Sequence, residues 1–185
     1  SYLHAAIDRA DVASADSNNA LARAMLGGMN MICGANEDSR IVIEGGSAGG
    51  NLAALLGLSG EGDWRDGTRV AAVVNMSGIA DLREPILTTD DYRGDFVQAQ
   101  LDYLGCLDLA DCYTAAAASP ITLADPSDPP FLLVHSLDEF IPVEQSEALG
   151  MALVDAGIDV TFVRVLGKLH GVSVLDDAMM ERVID

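Results

Sequence analysis

Arg40-Ile41-Val42-Ile43-Glu44-Gly45-Gly46-Ser47-Ala48-Gly49-Gly50-Asn51-Leu52-Ala53 reads as a buried strand, a sharp glycine-rich turn and the start of a helix. Ile41, Val42 and Ile43 are apolar at successive positions and all β-branched, the pattern of a strand covered on both faces in a parallel sheet. Asn51 to Leu58 predicts helix. Between them stands Gly45-x-Ser47-x-Gly49. A serine at so tight a strand-to-helix turn is held in strained backbone, with its hydroxyl clear of the sheet. The helix must cross close to the strand, so Gly45 and Gly49 have to lack side chains. The helix N-terminus and the Ala48 N–H favour a negative oxygen beside Ser47. The competing reading is a glycine-rich turn that only packs tightly or binds phosphate. Against it, the turn has no Gly-Lys-Ser/Thr, and Ser47 breaks a Gly-x-Gly-x-x-Gly pattern.

Outward from the turn, further strands and helices alternate. Ser1 to about Met31 is alanine-rich and predicts a helix interrupted or ended at Gly27-Gly28. Val70–Met76, Phe131–Val134 and Val160–Val165 predict strands. Val143–Ala156 predicts an amphipathic helix ended by Gly157, and Val174–Ile184 a closing helix. Asp81–Ala118 is a longer mixed region with two short helices. The alternation implies an α/β fold: a mostly parallel sheet flanked by helices, in one domain over 1–185. A chain of 185 residues, half of them hydrophobic, can bury one sizeable core and not two.

Ten basic against 29 acidic side chains give a net charge of −19. Such a surface repels phosphate-rich partners, so nucleic acid is excluded as a ligand class. No apolar run is long enough to span a bilayer, and no leader opens the chain. The histidines stand far apart and no Cys/His cluster has zinc-ligand spacing, so neither metal nor cofactor is implied. Cys33 reads as a small buried residue. Cys106 and Cys112 lie six positions apart and could bridge if the backbone folds back; a bridge would point to an extracellular or periplasmic setting.

A serine hydroxyl needs a base. His4 lies in the N-terminal helix, and His135 ends a strand, where a structural histidine is the default. His170 sits in Gly167-Lys168-Leu169-His170-Gly171, a glycine-flanked loop after the last strand, at the strand ends where open α/β sheets collect their chemistry. It is the expected base. An anion must fix its tautomer. Asp138 follows the third strand and is the expected acid, with Glu139 the alternative. Asp125 and Asp128 read as turn residues.

These segments resemble the carboxylesterases related to hormone-sensitive lipase and the feruloyl-esterase-like α/β-hydrolases. The resemblance lies in residues 40–53, in Ser77-Gly78-Ile79-Ala80-Asp81-Leu82, Ser119-Pro120-Ile121 and Pro129-Pro130-Phe131-Leu132-Leu133-Val134-His135, and in Ile141-Pro142, Gln145-Ser146-Glu147, Gly157 and Gly167–Gly171. It implies the chain order Ser47, Asp138, His170. The loop after His135 is one residue shorter than the family's: Asp138 keeps the distance to Pro142, and Glu139 keeps the distance from His135. The reading takes the proline side. The family's upstream His-Gly-Gly loop, which completes the oxyanion hole, has no counterpart before Ser47. The expectation is therefore a fragment, a reduced hydrolase, or an edge supplied by another subunit, with an exposed sheet edge that invites a homodimer.

The resemblance implies a serine carboxylesterase acting on small or aryl esters through an acyl-enzyme. Ser47 is the expected nucleophile, Ala48 the oxyanion donor, and Gly46, Tyr92, Phe96 and Tyr103 the substrate-binding residues. An amidase or peptidase of the same fold, or a catalytically inactive domain that binds or assembles, are the alternatives.

Overall fold

A computed structural model describes residues 29–33, 41–60, 62–64, 69–86 and 93–175. Four strands are parallel: β2 (Ile41–Gly46), β3 (Ala72–Met76), β4 (Phe131–Ser136) and β5 (Val160–Val165). They lie side by side in chain order, with β1 (Met29–Cys33) antiparallel on the outer edge of β2. The helices are α1 (Ala48–Leu58), α2 (Arg93–Leu104), α3 (Thr114–Ala117) and α4 (Glu144–Asp155). Short 3-10 turns cover Pro120–Thr122 and Gly171–Val174.

The doubly apolar strand pattern is explained by two cores. Ile43, Val73 and Leu133 project to one face, against Ala53, Ala54 and Leu58 of α1 and Leu149 and Leu153 of α4. Val74, Met76 and Val134 project to the other face, with Val174. Successive residues therefore bury on opposite faces, and burying each such side chain is worth about 1.5–3 kcal/mol. A third cluster sits beyond the carboxyl ends of the strands: Ile79, Leu82, Ile86, Leu104, Ala115 and Ile141. It builds the wall beside the Ser47 turn.

Two expectations are corrected on the amino-terminal side. Met29–Met31 lie in a strand, not a helix, because the N–H and C=O groups along the edge of β2 take Met29–Cys33 as their pairing partner. For the same reason the outer edge of β2 is not bare. Residues 1–28, and with them His4, lie outside the described residues, as does most of the expected closing helix; nor is the burial of Cys33 described. Among the described residues no helix is long and apolar enough to cross a membrane, and no group of His, Cys, Asp and Glu could hold a metal ion. Cys106 and Cys112 form a disulfide, with Cα atoms 5.6 Å apart.

Candidate active site

Ser47 occupies the turn between β2 and α1 with φ 57° and ψ −124°. A left-handed φ on a serine costs of order 1–3 kcal/mol and persists only where the surroundings enforce it. Here they do. A Cβ on Gly45 would lie 2.2 Å from the Gly49 carbonyl oxygen, and one on Gly50 would lie 2.8 Å from Gly78 Cα. The Ser47 N–H donates to the Met76 carbonyl at 2.8 Å, continuing the ladder past the end of β2. Ala48 is the first residue of α1, so its N–H lacks an intrahelical acceptor and is available to an anion.

The loop after β5 lies against this turn. A Cβ on Gly46 would come within 2.8 Å of Val172 N and 2.9 Å of Gly171 Cα. Gly171 itself has φ 55°, and its N–H donates to Ser77 Oγ at 3.4 Å. Backbone thus meets backbone, and the segment carrying His170 is held beside Ser47. Gly46 was expected to bind substrate. It does not line the cavity beside Ser47, because its space is taken by Gly171 and Val172.

The His170 ring meets Glu139, not Asp138. His170 Nδ1 is hydrogen-bonded to Glu139 Oε2, and the Glu139 side chain is fully buried. Asp138 is exposed at the tip of the turn, where its backbone N–H donates to the Gly167 carbonyl at 3.0 Å. The physical reason is the fixed end of β4. The residue four positions after His135 turns inward toward the β5 loop, and the residue three after it turns to solvent. The loop is therefore one residue short between the acid and Pro142. Burial pushes the Glu139 carboxyl up, but the His135, His170 and Ser77 side chains around it, with the charge of His170, outweigh it and hold the group at about 2.

Several residues here carried no role in the sequence. Phe140 lies over His170 with ring centroids 4.2 Å apart and touches Phe96 at 5.4 Å. Ser77, fully buried with φ 54°, repeats the strained geometry of Ser47 one strand over, and its N–H donates to the Val134 carbonyl at 2.8 Å. Gln100 ties α2 to the loop before it: its side-chain amide donates to the Leu82 and Glu84 carbonyls, each at 2.9 Å. Asn51, one turn into α1, donates to the Ile79 and Ala118 carbonyls at 2.9 and 3.1 Å. Ser77, after a buried strand, and Asn51, in the segment that carries the family resemblance, were the two of them with a sequence signal.

A cavity of about 50 Å³ opens beside Ser47 and Ala48, walled by Ile79, Leu82, Ile86, Phe96 and Tyr103. Of the residues the sequence reading names for substrate, Phe96 and Tyr103 line this cavity, and Tyr92 lies outside the described residues. Tyr103 Oη donates to Asn51 Oδ1 at 3.4 Å, and burial pushes its phenol up.

The BD-FAE family model matches residues 35–153. No curated protein sequence matches. Among solved structures, a truncated carbohydrate esterase from gut microbiota aligns at 24% identity with a TM-score of 0.57, over 75% of this chain and 55% of that one. The acetyl ester-xyloside bifunctional hydrolase of Caldicellulosiruptor lactoaceticus aligns at 22% and 0.56, over 75% and 50%. The acylaminoacyl peptidase of Pyrococcus horikoshii aligns at 22% and 0.58, over 78% and 22%. The chain spans about half the length of the first two. With a family match over more than half of its length and a parallel sheet shared with these hydrolases, the chain belongs to the BD-FAE family of α/β-hydrolases.

Proposed function

We propose that the chain is a serine carboxylic-ester hydrolase whose nucleophile is Ser47, whose general base is His170 and whose orienting acid is Glu139. The observation that carries this reading is the joint placement of a strained serine at a helix N-terminus and a histidine paired to a buried carboxylate, in backbone segments packed on each other. In this reading Glu139 accepts a hydrogen bond from His170 Nδ1–H and stays an anion, which leaves Nε2 unprotonated and free to remove the Ser47 proton. Ser47 Oγ attacks the ester carbonyl, and the oxyanion takes the Ala48 N–H. His170 then protonates the departing alcohol and activates the water that releases the acid.

The wall of Ile79, Leu82, Ile86 and Phe96 favours a short apolar acyl group, since the cavity measures only about 50 Å³. The likeness to esterases supports the ester-hydrolase reading, and the small cavity supports a short acyl group. The test combines fluorophosphonate labelling with p-nitrophenyl acetate hydrolysis. The chain is expected to label at Ser47, and Ser47→Ala to lose labelling and roughly 10⁵-fold or more in turnover while keeping its folded spectrum. Unlabelled, folded parent protein would refute the reading.

A further inference from the structure

His135 is fully buried at the end of β4 and lies outside the Ser47–His170 chemistry. Its Nδ1 is 2.7 Å from Ser146 Oγ on α4. Its Nε2 is 3.0 Å from the Ile141 carbonyl oxygen and also 3.0 Å from Glu139 Oε1. Both neighbours of Nε2 are acceptors, so Nε2 carries a proton. In the neutral ring Nδ1 then accepts the Ser146 hydroxyl, which fixes the tautomer. The N–H points at the Ile141 carbonyl, and Glu139 Oε1 has no well-aligned hydrogen bond. The 3.0 Å approach still counts, because a buried carboxylate oxygen is attracted by an N–H even off axis. One carboxylate is thus held between two histidines, Oε1 toward His135 and Oε2 toward His170.

We propose that His135, its tautomer set by Ser146, is a positioning residue that pins Glu139 Oε1 so that Oε2 stays aimed at His170 Nδ1. A glutamate needs this more than an aspartate would. It has one more rotatable bond, and its loop is one residue short on the far side. An N–H delivered from the rigid end of a central strand removes that freedom. The titratable groups facing Glu139 are His135 from β4 and His170 from the loop after β5; Ser77 adds a hydroxyl from the end of β3.

The inference rests on the triad reading above, and its test separates the two. The hydrogen bond between His170 and Glu139 gives a downfield Nδ1–H proton resonance whether or not Ser47 turns over ester. That resonance is recorded for the parent, His135→Gln, His135→Leu and Ser146→Ala, alongside kcat and KM for p-nitrophenyl acetate. The parent and His135→Gln, which retains an N–H donor near the position of Nε2, are expected to show it. In His135→Leu it is expected to broaden away through exchange with water, with kcat lower by about 10- to 100-fold at unchanged KM. Ser146→Ala is expected to give the same effect more weakly and decides the matter if His135→Leu does not fold. An unchanged resonance in folded His135→Leu, or in Ser146→Ala where the leucine variant fails to fold, would overturn the proposal. Loss of the resonance in a parent that never labels with fluorophosphonate would instead overturn the triad reading together with it.

Discussion

Two turns build the site, and they are held by different means. The Ser47 turn is held mainly by backbone: Gly45 meets Gly49, Gly50 meets Gly78, Gly46 meets Gly171, and no side-chain hydrogen bond caps α1, with Asn75 Nδ2 donating to the Gly50 carbonyl at 2.9 Å as the buried side-chain tie. The turn from β4 into α4 is held by side chains. Glu139 lies between His135 and His170, Ser146 meets His135, and Gln145 Oε1 accepts the Ala80 and Asp81 N–H groups at 2.9 Å each. A turn specified by steric contact has almost no tolerated substitutions. A turn specified by polar partners can shift its functional residue by one position, as long as the partners are still reached.

The largest expected effect tests the second turn. Glu139→Gln keeps the shape of the side chain but removes the anion, and kcat is expected to fall by about 10³- to 10⁴-fold. Asp138→Asn, one residue away, is expected to stay within about twofold, because its side chain is exposed. Steady-state kinetics on p-nitrophenyl acetate decide between them, and the reverse ranking would restore Asp138 as the acid. The first turn should fail differently. Gly45→Ala puts a methyl 2.2 Å from a carbonyl oxygen that cannot move without displacing α1. A loss of about 3 kcal/mol or more in urea unfolding is expected. A Gly45→Ala protein that kept its stability but lost activity would erase the distinction between the turns.

The acid gives the contrast a pH signature. The folded state holds Glu139 at about 2, against 4.5 for the ordinary group. A depressed carboxylate stabilises the fold fully above the unfolded value and loses that contribution as pH falls through the folded one. The stability gap between parent and Glu139→Gln should therefore be constant above about pH 5 and close between pH 4.5 and 2. Comparing the two proteins cancels the general effect of acid on a chain of net charge −19. A gap that persists at pH 2 would mean that the carboxylate is not held as an anion.

The same difference explains what the sequence disclosed. The turn at Ser47 could be read because sterics demand glycine at positions 45, 46 and 50, and the both-sided burial of β2 to β4 left its mark as runs of Val, Ile and Leu. The acid could not be fixed by pattern, since a one-residue deletion fits on either side of it. Only the end of β4 decides, by sending position 139 inward and 138 outward. Met29–Cys33 has a single β-branched residue, so its strand state follows from the edge it pairs with rather than from its own preference. Phe140 carried no sign of its place against His170, and His135 could be read only as a rival base or a structural histidine, because the contacts of both cross the sheet end.

The smallest expected effect concerns a third mode of holding, the covalent tie behind the pocket wall. Cys106 and Cys112 close a loop of only six positions just after α2, the helix that carries Phe96 and Tyr103. Loop-closure entropy grows slowly with length, so so short a loop is worth about 2 kcal/mol. Replacing both cysteines by serine should lower Tm by about 4–8 °C, read by calorimetry. The pocket should change less than the stability does. Thr114 Oγ1 donates to the Leu104 carbonyl at 2.7 Å and Gln100 anchors the loop at Leu82 on the opposite side of the wall, so both ends of the cavity keep their ties without the bridge. The expected KM for p-nitrophenyl acetate is within about twofold of the parent's, since substitutions that leave the cavity lining intact remove no binding contact. A KM that rose tenfold at constant kcat would show that the wall is held covalently, and that the polar contacts around it are followers of the disulfide rather than its equals.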